Sequence, residues 1–407
     1  MRGAGLALVL ILAACSGSSV PRPSSAASPS PVLDRTTSLA CSSPIPRSGQ
    51  LALVSLDSQT AAIDLVSNPS QPQRLCLINN VFAIAPAAAG GPRFISRSEV
   101  SYVYAGSPGG ILRLNLATGI STTVVTWSSG GIFPFGGAGG YGWSPDGKSL
   151  AYLFDPQTGN GPELRLVSRG NDRLLATLPA VPGRGGSPED STLLAFSPDD
   201  QYFALVETFT GPGSGEQASF QIRHADGTLV AAYPSSPGDV TASGALSGNR
   251  TMAVWAGTGS TLYFRPTDSQ GVERWTPQSQ QTTVMPSVRW FWPTASPDGR
   301  WIAYTVADSQ GMPHVAVYDQ AAGLSSSLTK AGGINPHFIS PNLVWYEAVR
   351  PCTPEEQQAP PATRICGGLG LPDFPKSGQE FLFNPLTQQE TSTNLGGLGV
   401  LDIWPQP

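Results

Sequence analysis

Ser144 and Asp146 place a hydroxyl and a carboxylate two residues apart in the stretch GWSPDGKSLAYLF, residues 142–154. A serine nucleophile also needs a base and an acid that orients the base. The three histidines, His224, His314 and His337, are scattered along the chain, and none lies beside this pair. The chain has no GxSxG elbow, no HExxH and no phosphate-binding glycine loop. Its adjacent carboxylates, Glu189 with Asp190 and Glu355 with Glu356, are neighbours in sequence. The two carboxylates of a glycosidase instead flank the scissile bond from opposite sides. With no CxxC and no histidine cluster, neither a metal nor a cofactor is expected. The alternative to chemistry is a turn, and a turn that organises the fold should recur.

It does recur. Serines in the place of Ser144 fall at Ser48, Ser96, Ser197, Ser247, Ser296 and Ser340, separated by 44 to 53 residues. The clearest copies read WSPDGKSLAYLF, FSPDDQYFALVE and ASPDGRWIAYTV; LSGNRTMAVWA is among the weaker ones. In each, an apolar residue precedes the serine, turn residues follow, and a short apolar run comes next. Segments such as PELRLVS and TLVAAY supply third and fourth strands, and no helical periodicity is evident. Four strands in each of seven units predict an all-β, seven-bladed β-propeller over residues 48–407. Runs such as LAYLF are apolar on both faces, as blades packed between two neighbours require. A small residue recurs in them at Ala52, Ser101, Ala151, Ala204, Ala253 and Ala303, with Val344 in the seventh. Pro44 and Pro46 rule against an inner strand just before Ser48. The C-terminal GVLDIWP carries Trp404 where the third repeat has Trp143. Residues 398–404 are therefore expected to close the ring as the inner strand of the first blade.

The SPDG turn followed by an IAY-like strand resembles the TolB-type, WD-repeat-like propeller repeat. The resemblance covers residues 48–404 and implies a propeller scaffold; the N-terminal domain and six-blade count of TolB have no match in these repeats. TolB's partnership with a peptidoglycan-associated lipoprotein therefore does not carry over residue by residue.

The N-terminal MRGAGLALVLILAAC resembles a bacterial lipoprotein leader with its lipobox. That implies removal of residues 1–14 and lipidation of Cys15. Residues 15–47 are rich in Ser, Pro and Ala and poor in large apolar side chains, so a disordered tether is expected there. The expected location is the bacterial cell envelope, on the extracytoplasmic side of a membrane and held only by the lipid. Four further cysteines in an oxidising compartment argue for two disulfides, with three pairings open. Nearest-in-chain pairing is expected: Cys41 with Cys76, pinning the tether to the first blade, and Cys352 with Cys366, within one insertion. Charged residues are 13% of the chain, and the formal net charge of −5 leaves no basic face for nucleic acid.

In such a ring, the turns joining first to second and third to fourth strands share one tight face. The long connections at 128–140, 179–191, 208–218 and 349–378 belong to the other. Long insertions on one face of a rigid scaffold are a usual place for recognition. Candidate binding residues there are the aromatics Phe133, Phe135, Tyr141, Trp290 and Phe291, with His337 on an inner strand near the channel. The expected function is binding of a protein or peptide partner in the envelope, by a monomer and without catalysis. The competing expectation is an enzyme acting on glycans or peptides through the loop-bearing face.

Overall fold

The structure is a computed structural model. It describes residues 37–404 except 58, 67–71, 82–91, 105–107, 128–139, 155, 157–162, 178–191, 211–215, 236–252, 266–270, 287, 289, 310–311, 327–328, 331, 359–375, 394 and 396–398. Leader, lipidation site and most of the tether lie outside these residues.

Short β-branched and aromatic runs separated by turn residues fold as seven antiparallel sheets. The third blade shows the plan. Its inner strand Tyr141–Trp143 is followed outward by Ser149–Phe154, Glu163–Ser168 and Asn171–Thr177. The second blade runs Arg93–Ser96, Glu99–Tyr104, Gly109–Asn115 and Ser121–Trp127. The fourth runs Thr192–Phe196, Tyr202–Thr210, Glu216–His224 and Leu229–Ser235. The sixth runs Phe291–Ala295, Trp301–Ala307, Pro313–Asp319 and Leu324–Ser326. The seventh runs Gly333–Ser340, Leu343–Val349, Lys376–Asn384 and Gln389–Thr393.

The first blade is built from both ends of the chain. Gly399–Trp404 pairs antiparallel with Leu51–Asp57, with Trp404 opposite Leu51 just as Trp143 lies opposite Leu150. Closure by the C-terminal strand is therefore as expected. Thr60–Leu65 and Gln73–Asn79 complete the four strands. A fifth, Ser38–Cys41, pairs with the outer edge of Gln73–Asn79 in the register Ser38–Asn79 to Cys41–Cys76. The span expected to remain tether through residue 47 thus enters the sheet at Ser38. The Cys41–Cys76 disulfide joins directly opposed residues, which is why the strand can form at an otherwise exposed edge.

Apolar burial explains the ring. Among the described residues there are seven buried apolar clusters, and each joins one blade to the next. Leu51 and Ile63 of the first blade meet Tyr102 and Leu112 of the second. Ala151 and Leu153 of the third meet Phe203 and Leu205 of the fourth. Val54 of the first blade meets Trp345 and Leu382 of the seventh, completing the circuit. A blade with one polar face could not do this. Burying each such side chain contributes roughly 1.5–3 kcal/mol.

Two details correct the sequence reading. Ser247 lies outside the described residues, and Ala253–Ala256 is the first described strand of the fifth blade. It touches the inner strands of the fourth and sixth blades, so it is itself the inner strand. Thr261–Phe264, Val272–Thr276 and Gln280–Met285 lie outside it. Ala256 pairs with Thr261, so the turn is GTGS (257–260) and Trp255 takes the place of Trp143. In the seventh blade the position of Ala151 is filled by Trp345, not Val344, since Val344 pairs with Phe338 as Val100 does with Phe94. Tyr263 and Trp345 show that a small residue is not required there. The neighbouring blades accommodate both rings, leaving them 3% and 0% exposed.

Candidate functional site

The three best turns on the tight face share one hydrogen-bonded design. Ser144 Oγ donates to Asp146 Oδ1 at 2.7 Å and accepts from the Ser149 amide at 2.9 Å. Asp146 Oδ1 also accepts from the Lys148 amide at 3.0 Å. Ser197 and Asp199 repeat this, with the Tyr202 amide on Ser197 Oγ at 3.0 Å. Ser296 and Asp298 repeat it again, with the Trp301 amide at 2.9 Å. All three serines are buried. The Lys148 ammonium and the Ser144 hydroxyl hold the Asp146 carboxyl down at about 2. Each serine oxygen is therefore committed to its own turn.

Gly147 adopts a φ of 67°, and a Cβ there would come within 2.9 Å of Ile95 in the preceding blade. The turns also lock neighbours together. Ser260 of the fifth blade donates to Asp199 of the fourth at 2.5–2.7 Å. The Arg97 guanidinium donates to the carbonyls of Pro46, Gly49 and Ser48 at 2.5–2.6 Å, holding the entry to the first blade. The tight face is an interlocked rim.

The aromatic candidates are placed differently from expectation. Tyr141, Trp290 and Phe291 are 0%, 0% and 3% exposed, so they fill the space between blades and offer no partner surface. The Tyr141 hydroxyl accepts from Ser101 Oγ at 3.1 Å, and burial pushes it up to about 12. Trp290 packs on Tyr304 with ring centres 5.5 Å apart, and Phe291 lies beneath the Arg265 guanidinium. Phe133 and Phe135 lie outside the described residues.

The histidines sit on three different blades. His224 is exposed beside Tyr202, and His314 Nδ1 donates to the Thr329 carbonyl at 3.0 Å while Nε2 faces Asp308 at 3.2 Å. His337 is on the inner strand of the seventh blade, its ring 5.8 Å from Trp345. Its Nε2 is enclosed with no hydrogen-bond partner among the described residues, and burial lowers its pKa to about 4. No group of three or more metal-ligating side chains occurs among the described residues.

A polar cluster that the sequence reading missed sits where the ring closes. Asp402 Oδ2, on the closing strand, accepts from the Phe94 amide of the second blade at 2.8 Å. Arg93 donates to the Tyr141 carbonyl at 3.0 Å and lies over the Tyr141 ring at 5.2 Å. Arg93 thus ties the second blade to the third beside the tie Asp402 makes to the first. Burial raises the Asp402 carboxyl to about 6, although the Phe94 amide and Arg93 both oppose the shift. No local motif announces the cluster, because its members come from residues 93, 141 and 402.

On the opposite face, the base of the insertion 349–378 is braced. Arg350 makes a bidentate pair with Glu356 at 2.6 and 2.8 Å. The Thr353 hydroxyl accepts from the Glu356 amide while the Glu356 carboxylate accepts from the Thr353 amide, capping the short helix Pro354–Gln358. Arg350 and that amide hold Glu356 at about 2. The signal for this helix was TPEE itself. Cys352 is disulfide-bonded, and its expected partner Cys366 lies outside the described residues.

No family model matches this sequence, and no curated protein matches it. Solved structures do. A prolyl endopeptidase matches with a TM-score of 0.50 at 12% identity, over 88% of this chain and 50% of that one. At that identity the likeness speaks for fold alone. The fold is a seven-bladed β-propeller. TolB from Acinetobacter baumannii is also similar, with a TM-score of 0.42 at 14% identity over 88% of this chain and 67% of TolB. An oligogalacturonate lyase from Vibrio parahaemolyticus has a TM-score of 0.46 at 9% identity, over 85% and 86%. This chain spans half the length of the prolyl endopeptidase it matches.

Proposed function

We propose that this chain is a lipoprotein of the bacterial cell envelope, anchored through Cys15, whose propeller binds a protein or peptide partner and does no catalysis. The observation that carries this reading is the contrast between the two faces. On the tight face, Ser144, Ser197 and Ser296 are closed onto their own turns. On the other face, the longest insertion springs from a base stiffened by Arg350–Glu356 and the Cys352 disulfide. A braced insertion reduces the ordering cost of binding, which favours recognition. The leader-like sequence ending at Cys15 supports the anchor.

Affinity capture from envelope extract, with the lipidated chain as bait, tests the reading. A partner should be recovered by the wild-type chain and lost when residues 359–371 are replaced by a short Gly/Ser link. Turnover of a glycan or peptide panel by the purified chain would instead support an enzyme.

A further inference from the structure

The strand Ser38–Cys41 fixes where the chain leaves the propeller. Ser38 lies opposite Asn79, which lies opposite Thr60 at the second-to-third turn of the first blade. Thr37 Oγ1 donates to the Asn80 carbonyl, in the same row. That row is at the loop-bearing end of the blade, since Leu51 and Trp404 mark the tight end. From Cys41 the chain runs the other way. Ser42 donates to the Leu75 carbonyl, and Pro46, Ser48 and Gly49 are held by Arg97 in the tight-face turn of the second blade. The segment between Thr37 and Pro46 therefore crosses the full height of the first blade, and the Cys41–Cys76 disulfide staples it midway.

We propose that the propeller is held with its loop-bearing face toward the membrane, and that the disulfide-stapled strand Ser38–Cys41 is the clasp that sets this orientation. The proposal rests on the anchored reading above. From Cys15 to Thr37 there are 22 steps of chain (37 − 15). Were those steps a random coil, their root-mean-square span would be about 25 Å. A strand of six or seven residues is itself roughly 20 Å long. Turning the tight face to the membrane would use most of that span merely to pass the rim. A body beside an impenetrable surface accordingly favours orientations with its attachment point nearest the surface. Without the clasp, the next fixed point is the Arg97 cradle on the tight face. The tether would gain nine residues (37 to 46) and leave from the opposite side. The clasp thus decides which face looks at the membrane. The partner of the loop-bearing face is then a protein embedded in that membrane or lying against it.

The test uses the lipidated full-length chain on phosphatidylethanolamine–phosphatidylglycerol vesicles containing an acceptor-labelled lipid. A donor dye is placed at Gln59→Cys on the loop-bearing face or at Ala117→Cys on the tight face, both exposed and in adjacent blades. Energy transfer should be clearly higher from position 59 than from position 117. In the Cys41→Ser/Cys76→Ser background the difference should shrink or invert. Equal transfer from both positions, or higher transfer from 117, with the disulfide intact overturns the proposal. The intact-disulfide comparison decides even where the serine variant does not fold. Failure of the chain to float with vesicles, with an unmodified Cys15 by mass spectrometry, overturns the anchored reading and the orientation with it.

Discussion

At Ser197 the hydroxyl holds the Tyr202 amide and the Asp199 carboxylate, and Asp199 in turn holds Ser260 of the next blade. Ser197→Ala leaves a buried amide unpaired and loosens the link to the fifth blade. A loss of about 1–3 kcal/mol in denaturant unfolding is expected. Ser144→Ala also unpairs an amide, that of Ser149, but should cost less, because Asp146 holds the exposed Lys148 where Asp199 holds Ser260 of the next blade. Neither change should alter partner capture. Loss of binding or turnover in Ser144→Ala with unchanged stability would restore a chemical role to that residue. Asp402 makes a pH-dependent case. Its folded pKa, about 6, is raised above the ordinary aspartate value, so the folded chain holds this proton more tightly than the unfolded one. Its contribution is fully present below about pH 4 and is lost as pH rises through about 6. Asp402→Asn keeps an oxygen for the Phe94 amide and removes the buried charge. The variant should match wild type near pH 4 and exceed it in stability at pH 7, by urea titration at both values. A wild type more stable than the variant at pH 7 would contradict the assignment.

At the scale of elements, the blades were legible wherever the turn carried a serine and an aspartate. WSPDG, FSPDD and ASPDG mark inner-strand ends in the third, fourth and sixth blades. The fifth is hidden because GTGS makes the same four-residue turn with Ala256 and Thr258 in the places of the serine and the aspartate, while LSGNR imitates the motif at an even spacing. Closure was legible through Trp404, since the position before the serine tolerates large apolar residues. The added strand Ser38–Cys41 was not, because SLAC has no pattern of its own and is held by register and the disulfide. Three of the aromatic candidates are misread for a related reason. Sequence shows that Tyr141, Trp290 and Phe291 are large and apolar, and only packing shows that neighbouring blades enclose them. Removing residues 399–407 should expose the edge of Leu51–Asp57 and lower the melting temperature strongly; an unchanged melt would contradict ring closure. Cys41→Ser/Cys76→Ser should cost about 2–4 kcal/mol. Non-reducing peptide mapping should recover Cys352 linked to Cys366, and a peptide linking Cys352 to any other cysteine would refute that pairing.

For the whole molecule, the seven interfaces make a rigid ring whose two faces differ in kind. One is an interlocked rim of short turns; the other carries the long connections and the braced insertion. On the function proposed above, a partner meets the second face and not the first. Site-specific photo-crosslinking in intact bacteria tests it most directly. A photoreactive residue is placed at Gln59 or Ser309 on the loop-bearing face, and at Ala117 or Thr387 on the tight face, all four exposed. A discrete protein adduct is expected from positions 59 or 309 and none from 117 or 387. Adducts from the tight-face positions alone would contradict it.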